Sequence, residues 1–334
     1  TMKSKRYLPP VDAPAGGGPL RIVTGGFPAV LPPAGREALE HPEKYLEPVR
    51  QMLMREPRGH ADMAGAVILP PADPDADFGI VFMHAGGYSA LSGHGVVAAV
   101  TAVLETGFVR AAEHARIVIN TPAGTIEAEA ECTDTGVRSV AYDHVPSRAL
   151  ELDRPIEMEG RRFSADIAYS GAVYALVEAE DAGLSLEVEE LPRLRQWGVR
   201  IARQLEAEKA VRHPLRGNFS AIDGVVFAGR PHGSDAHVRN VVVFADGRID
   251  RSPSGTGMAA LMAVWFRKGK LAPDRETVHE SITGSRFSGR ITRLAQAGSE
   301  PAVIARIQGR AFLTGTHQFL MDPTDPFPRG FLLR

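Results

Sequence analysis

Two short motifs in this 334-residue chain hold residues whose types and spacing suit chemistry: Ser92-Gly93-His94-Gly95 and Ser254-Gly255-Thr256-Gly257. Each precedes an apolar run, Val96 to Leu104 and Met258 to Phe266. A serine before such a run is a good helix N-cap, and glycines let backbone N–H groups approach a ligand closely. The first N–H groups of a helix lack partners within it, and the dipole adds positive character, so the arrangement binds anions. A single loop of this kind is more often a plain cap or a phosphate cradle. A repeated pair, roughly half the chain apart, says more. If the halves are related by pseudo-two-fold symmetry, both N-termini point at one carboxylate between them. They then stabilise the charge that develops as a proton leaves the adjacent carbon, with Ser92 on one face of that carbon and Ser254 on the other.

The elements that must position these loops repeat as well. Apolar and β-branched runs predict strands at Ala66 to Leu69, Gly79 to Met83, Ala115 to Asn120, Val137 to Tyr142, Ala165 to Tyr169 and Tyr174 to Val177. Further strands are expected at Gly224 to Phe227, Val241 to Phe244 and Ala302 to Ile307, with a hairpin turn at Asp246-Gly247. In each half a strand leads to Ser-Gly-x-Gly and then to a helix apolar on nearly every side, which must be buried all round. Gly107 and Gly269 stand just past those helices, where a terminating glycine belongs. Leu191 to Val211 differs: Leu194, Trp197, Ile201 and Leu205 have helical spacing among charges, as on a solvated amphipathic helix. The expected architecture is α/β (α+β), with two similar halves, 1–180 and 181–334, each wrapping a sheet around a central helix. The boundary is expected in the acidic run Glu178 to Glu189, and the C-terminal end could pack back on the first half.

Composition narrows the function class. A net charge of -2 leaves no footprint for nucleic acid or an anionic membrane. No apolar run reaches transmembrane length, and the opening residues show no signal-peptide core, so a cytoplasmic protein is expected. The one cysteine, Cys132, excludes an internal disulfide and a cysteine-rich metal site, and its acidic setting suggests an inert thiol.

The residues from Gly87 to Gly95 resemble the first signature of the proline racemase superfamily, whose core reads Met-Cys-Gly-His. Asp250-Arg251-Ser252-Pro253-Ser254-Gly255-Thr256-Gly257 is similar to the second, Asp-Arg-Ser-Pro-Cys-Gly-Thr-Gly. Glu56-Pro57-Arg58-Gly59-His60, Ser234-Asp235, Arg239-Asn240 and Gly284-Ser285 extend the resemblance over most of the chain. It implies a diaminopimelate-epimerase-like fold, an imino-acid substrate, and neither organic cofactor nor metal. It gives Ser92 and Ser254 the acid/base places and assigns the substrate carboxylate to backbone N–H groups of Gly93-His94 and Gly255-Thr256. The side chains of Asp250 and His94 would stand near the ring nitrogen. A homodimer is left open.

Both catalytic places depart from the family's pattern of two cysteines. A thiol with a pKa near 8.5 exchanges a proton near neutral pH, whereas a serine hydroxyl is a far weaker acid. Two serines argue against symmetric racemisation and fit one-sided elimination better. The expectation is dehydration of trans-3-hydroxy-L-proline to 1-pyrroline-2-carboxylate. Ser92 is the base, helped by His94 or Asp250, and Ser254 assists the leaving hydroxyl or orders a water. Epimerisation of 4-hydroxyproline at C2 is the alternative, and a non-catalytic imino-acid binder the reading from another class. Smaller departures are Val23-Thr24 in place of His-Thr, followed by Gly25-Gly26-Phe27-Pro28, and Ser170-Gly171-Ala172 in place of Gly-Gly-Asn. His60 is expected to be structural, while His84 and Tyr88 either line the pocket or pack beneath it. Asp235 and His237 have metal-like spacing but lack a third ligand, and Asp235 is expected to order the second loop. Met258 and Met262 are expected to be core.

Overall fold

A computed structural model describes residues 6–25, 35–209, 211–212, 221–297, 300–322 and 324–333, so Gly26-Phe27-Pro28 lies outside the described residues. Five α-helices are described: α1 (Gly35–Glu40), α2 (Pro42–Met54), α3 (Gly93–Glu105), α4 (Leu191–Ala207) and α5 (Gly255–Arg267). The chain divides into two units, residues 1–142 with 310–334, and residues 143–309.

In the first unit, Arg21–Val23 runs parallel to Ala64–Leu69, which pairs antiparallel with Phe78–His84. The chain passes through Gly87–Ser89 into α3 and returns as His114–Thr121, parallel to Phe78–His84. Two hairpins, through Gly124–Thr133 and Gly136–Asp143, continue the sheet. One face of Ala64–Leu69 and Phe78–His84 (Val67, Leu69, Val81, Met83) packs on Leu46, Val49 and Leu53 of α2. The other meets α3, where a Cβ at Gly95 would fall 2.6 Å from the Phe82 ring.

The second unit repeats the plan. Val173–Glu178 runs parallel to Gly224–Gly229, which pairs antiparallel with Val238–Phe244. After α5 the chain returns as Thr277–Glu280, parallel to Val238–Phe244, and continues through Arg286–Ala297 and Glu300–Gly309. Alternation sorts the strand residues between two helices. Val225, Phe227, Val241 and Val243 join Leu194, Trp197, Ile201 and Leu205 of α4, whereas Val226, Ala228 and Val242 join Ala260, Leu261 and Val264 of α5. A sheet covered on both faces explains why these strands read as unbroken apolar runs.

α3 and α5 are buried almost throughout, as their composition requires, and Gly107 and Gly269 end them at φ 73° and 69°. The hairpin at Asp246-Gly247 is present, with Phe244 N donating to Arg248 O at 2.8 Å. Among the described residues, no helix is long and apolar enough to cross a membrane.

The division of the chain corrects the expected boundary. Residues 143–180 belong to the second unit because Arg148–Met158, Arg161–Tyr169 and Val173–Glu178 pair in succession onto Gly224–Gly229. The acidic run at Glu178 to Glu189 is no linker, since Ala179, Ala182, Leu184 and Leu186 bury themselves in the α4 core. The closing residues 310–334 group with the first unit, where Gly315–Thr316 pairs with Pro10–Asp12.

Candidate functional site

Each Ser-Gly-x-Gly motif folds as a capped helix start, each in its own unit. Ser92 caps α3, its Oγ accepting from Gly95 N at 3.3 Å. The residue has ordinary extended backbone, φ -137° and ψ 115°. His94 points its ring back toward this hydroxyl, with Nδ1 3.5 Å from Ser92 Oγ, a long contact. The other side of the ring rests on backbone: a Cβ at Gly18 would fall 3.1 Å from His94 Cδ2. The structure thus places an imidazole beside Ser92 that can accept a proton. Gly93 opens the helix, where no earlier turn supplies a carbonyl for its N–H.

The second loop is more elaborate. Ser254 caps α5 through Gly257 N at 3.2 Å, yet it does so at φ 59° and ψ 98°, a conformation L-residues rarely adopt. Its surroundings hold it there. Asp250 Oδ1 accepts from Ser252 N at 2.9 Å and from Ser252 Oγ at 2.8 Å, and Ser252 Oγ in turn accepts from Ser254 N at 3.1 Å. Asn240 Nδ2 donates to Pro253 O at 2.7 Å, and Ser170 Oγ to Thr256 O at 2.9 Å. The side chain of Thr256 lies 3.3 Å from Ser254 Oγ and 2.9 Å from Tyr174 OH. Burial pushes the Tyr174 phenol up, so it stays protonated.

The structure therefore groups Ser92, Gly93 and His94 in the first unit, and Asp250, Ser254, Gly255 and Thr256 in the second. Sequence reasoning missed Tyr174, Asn240 and Ser252 as supports of the second loop. Ser170 was visible only as a departure from the family's pattern. Asn240 and Ser252 carried a signal, since both sit in stretches that match the family, but Tyr174 lies inside a strand and reads as core.

Other candidates have partners outside the two loops. Tyr88 OH meets Glu47 at 3.3 Å, and Arg50 of α2 donates to His84 O and Ala85 O at 2.9 and 2.7 Å, so this segment is tied down onto α2. Asp235 pairs with Arg286, whose other nitrogen lies 3.9 Å from Glu280. Buried Glu280 pairs with Arg239 and accepts from His232 N and Gly233 N at 3.3 and 2.9 Å. Burial opposes its charge, but the Gly233 N–H and the Arg239 guanidinium outweigh it and hold its carboxyl below the usual range. His237 accepts from Val278 N at 3.0 Å. Among the described residues, no three His, Cys, Asp or Glu side chains are grouped as a metal would need. Cys132 is partly buried in the strand Gly124–Thr133, and burial together with Glu105 pushes its thiol up.

A family model described as Proline racemase matches residues 10–332. The chain is 40% identical over 333 residues to a trans-3-hydroxy-L-proline dehydratase of Bacillus thuringiensis subsp. konkukian (strain 97-27), covering 99% of this chain and 100% of the relative. It is 37% identical over 335 residues to a 4-hydroxyproline 2-epimerase of Streptosporangium roseum, covering 99% and 100%. Among solved structures it resembles a hydroxyproline epimerase from Agrobacterium vitis with bound trans-4-hydroxy-L-proline. That match has a TM-score of 0.90 at 31% identity and covers 100% of this chain and 96% of the other.

Proposed function

The chain belongs to the proline racemase family, and from that premise we propose that it is a trans-3-hydroxy-L-proline dehydratase needing no cofactor. One observation carries the choice over epimerisation. Hydroxyls stand at the head of both helices where the family pattern has thiols; among the described residues Ser92 has the imidazole of His94 beside it, whereas Ser254 has the hydroxyl of Thr256. Epimerisation needs a group on each face able both to take and to give a proton near pH 7. Two serines supply at most one, through His94.

In this reading the substrate carboxylate is held by backbone N–H groups of Gly93-His94 and Gly255-Thr256, and Asp250 and His94 stand near the ring ammonium. Ser92, helped by His94, takes the α-proton. The C–H electrons form the double bond between C2 and C3, and the bond from C3 to its hydroxyl breaks. The leaving oxygen departs as water with help from Ser254. The enamine then gains a proton at C3 and loses its N–H proton to become 1-pyrroline-2-carboxylate. Full-length similarity to a dehydratase supports the reaction type. A cytoplasmic location and an imino-acid substrate belong to the same proposal.

The test is incubation of the protein with trans-3-hydroxy-L-proline and, separately, trans-4-hydroxy-L-proline in deuterated buffer, followed by NMR. Loss of the 3-hydroxy isomer with a pyrroline product is expected, as is its abolition in Ser92→Ala. Deuterium at C2 with inverted configuration in the 4-hydroxy isomer, and no pyrroline from the other, would establish the epimerase instead. Binding without any exchange would mark a non-catalytic binder.

A further inference from the structure

Ser254 heads a chain of three buried hydroxyls. Ser254, Thr256 and Tyr174 are 2%, 5% and 3% exposed. Their oxygens follow one another at 3.3 and 2.9 Å. The polarity of such a chain follows from which member is the better donor. A phenol is a stronger acid than an aliphatic hydroxyl, and burial keeps this phenol's proton in place. Tyr174 therefore donates to Thr256 Oγ1, and the Thr256 proton is left to donate to Ser254 Oγ. That oxygen already accepts from Gly257 N. With both lone pairs engaged, Ser254 has only its own proton to offer. The equivalent position two residues after Ser92 is His94, whose Nδ1 lies 3.5 Å from the Ser92 hydroxyl and can accept its proton. The same spacing gives opposite polarity in the two loops.

We propose that Tyr174 is a positioning residue that, acting through the Thr256 hydroxyl, fixes Ser254 as a hydrogen-bond donor to the departing 3-hydroxyl. The inference rests on the dehydratase reading and assigns the direction of its second step. As the bond from C3 to oxygen breaks, the leaving oxygen takes up the Ser254 proton and departs as water, and solvent returns a proton to Ser254. Tyr174 keeps its own proton throughout. It sets polarity and is not the proton source.

Initial rates on trans-3-hydroxy-L-proline are compared for the wild type, Tyr174→Phe, Thr256→Val, the double variant and Thr256→Ser, with melting temperatures as a check on folding. Tyr174→Phe keeps the ring in the core, and kcat is expected to fall about tenfold, the worth of the one hydrogen bond from Ser254 to the departing oxygen that it positions, with KM little changed. The double variant is expected to be no slower than Thr256→Val alone, because the two hydroxyls act in series. Thr256→Ser, which restores the hydroxyl, is expected to recover the rate. An unchanged kcat in Tyr174→Phe, losses that multiply in the double variant, or KM rising in step with the fall in kcat overturns the role of Tyr174 while leaving the dehydratase standing. A wild-type protein that does not consume the substrate overturns both.

Discussion

Ser92 and Ser254 do the same capping job on different backbones, and the difference is measurable as stability. Ser92 is extended at φ -137°, whereas Ser254 sits at φ 59°. Replacing a capping serine by glycine loses only a few tenths of a kcal/mol of capping. Ser92→Gly should therefore destabilise by about a few tenths of a kcal/mol. At Ser254 the same change releases a conformation that costs an L-residue about 1–3 kcal/mol, so Ser254→Gly should be neutral or stabilising while losing the hydroxyl. Urea unfolding midpoints of the two variants decide it, and equal losses would show that Ser254 is not strained. A sequence carries only part of this. Both serines, and Gly93, His94, Asp250, Gly255 and Thr256, stand out because they form contiguous motifs. The contorted backbone at Ser254 is held by Asp250 and Ser252 from within the motif and by Asn240 and Ser170 from elsewhere in the fold, and no local pattern encodes that second part.

The helices α3 and α5 press their first turns onto neighbouring strands through glycine, but not equally closely. A Cβ on Gly95 would lie 2.6 Å from Phe82 Cε1 and 2.8 Å from Ser92 Oγ. On Gly257 the nearest atoms would be Val242 Cγ2 at 3.0 Å and Ser254 Oγ at 3.2 Å. Alanine gains about 1 kcal/mol over glycine in helix propensity, and overpacking costs about 1–3 kcal/mol. Gly95→Ala should be destabilised by about 2 kcal/mol, and Gly257→Ala left near neutral because its neighbours need to give only slightly. Chemical denaturation checks the order, and a Gly257→Ala variant less stable than Gly95→Ala would refute it. At this scale the sequence was informative wherever both faces of an element are covered. The unbroken runs at Gly79 to Met83 and Val241 to Phe244, and the apolar helices, needed no other clue. α2 was not among the expected helices, and two prolines, Pro42 and Pro48, stand within its span. Pro42 in fact opens the first turn, where its missing N–H is harmless, and Leu46, Val49 and Leu53 carry the helical spacing. The boundary escaped too, because strand pairing with Gly224–Gly229, and not composition, assigns residues 143–180 to the second unit.

The second unit, residues 143–309, is one contiguous stretch inserted between the two segments of the first, and it carries its own sensitivity to acid. His144 and His279 are buried in it, and burial lowers their pKa values from 6.5 to about 4 and about 3. His279 is stacked on Trp265, with ring centroids 5.6 Å apart, and meets Asn240 Oδ1 at 3.2 Å. The sign of the linkage is fixed by these directions. Above pH 6.5 both imidazoles are neutral whether the chain is folded or not, and stability does not depend on them. Below 6.5 the unfolded chain binds protons that the native unit refuses, so stability falls as pH drops from 6.5 toward 4, by up to about 1.4 kcal/mol per pH unit for each histidine. The chain has two tryptophans, Trp197 and Trp265, and both lie in this unit, so tryptophan fluorescence reports on it alone. The urea midpoint followed by that signal should drop steeply between pH 6.5 and pH 4.5, and His279→Gln should roughly halve the slope, because one imidazole remains. A midpoint that stays level across that window would mean the two histidines are as free to charge in the folded unit as in the unfolded chain.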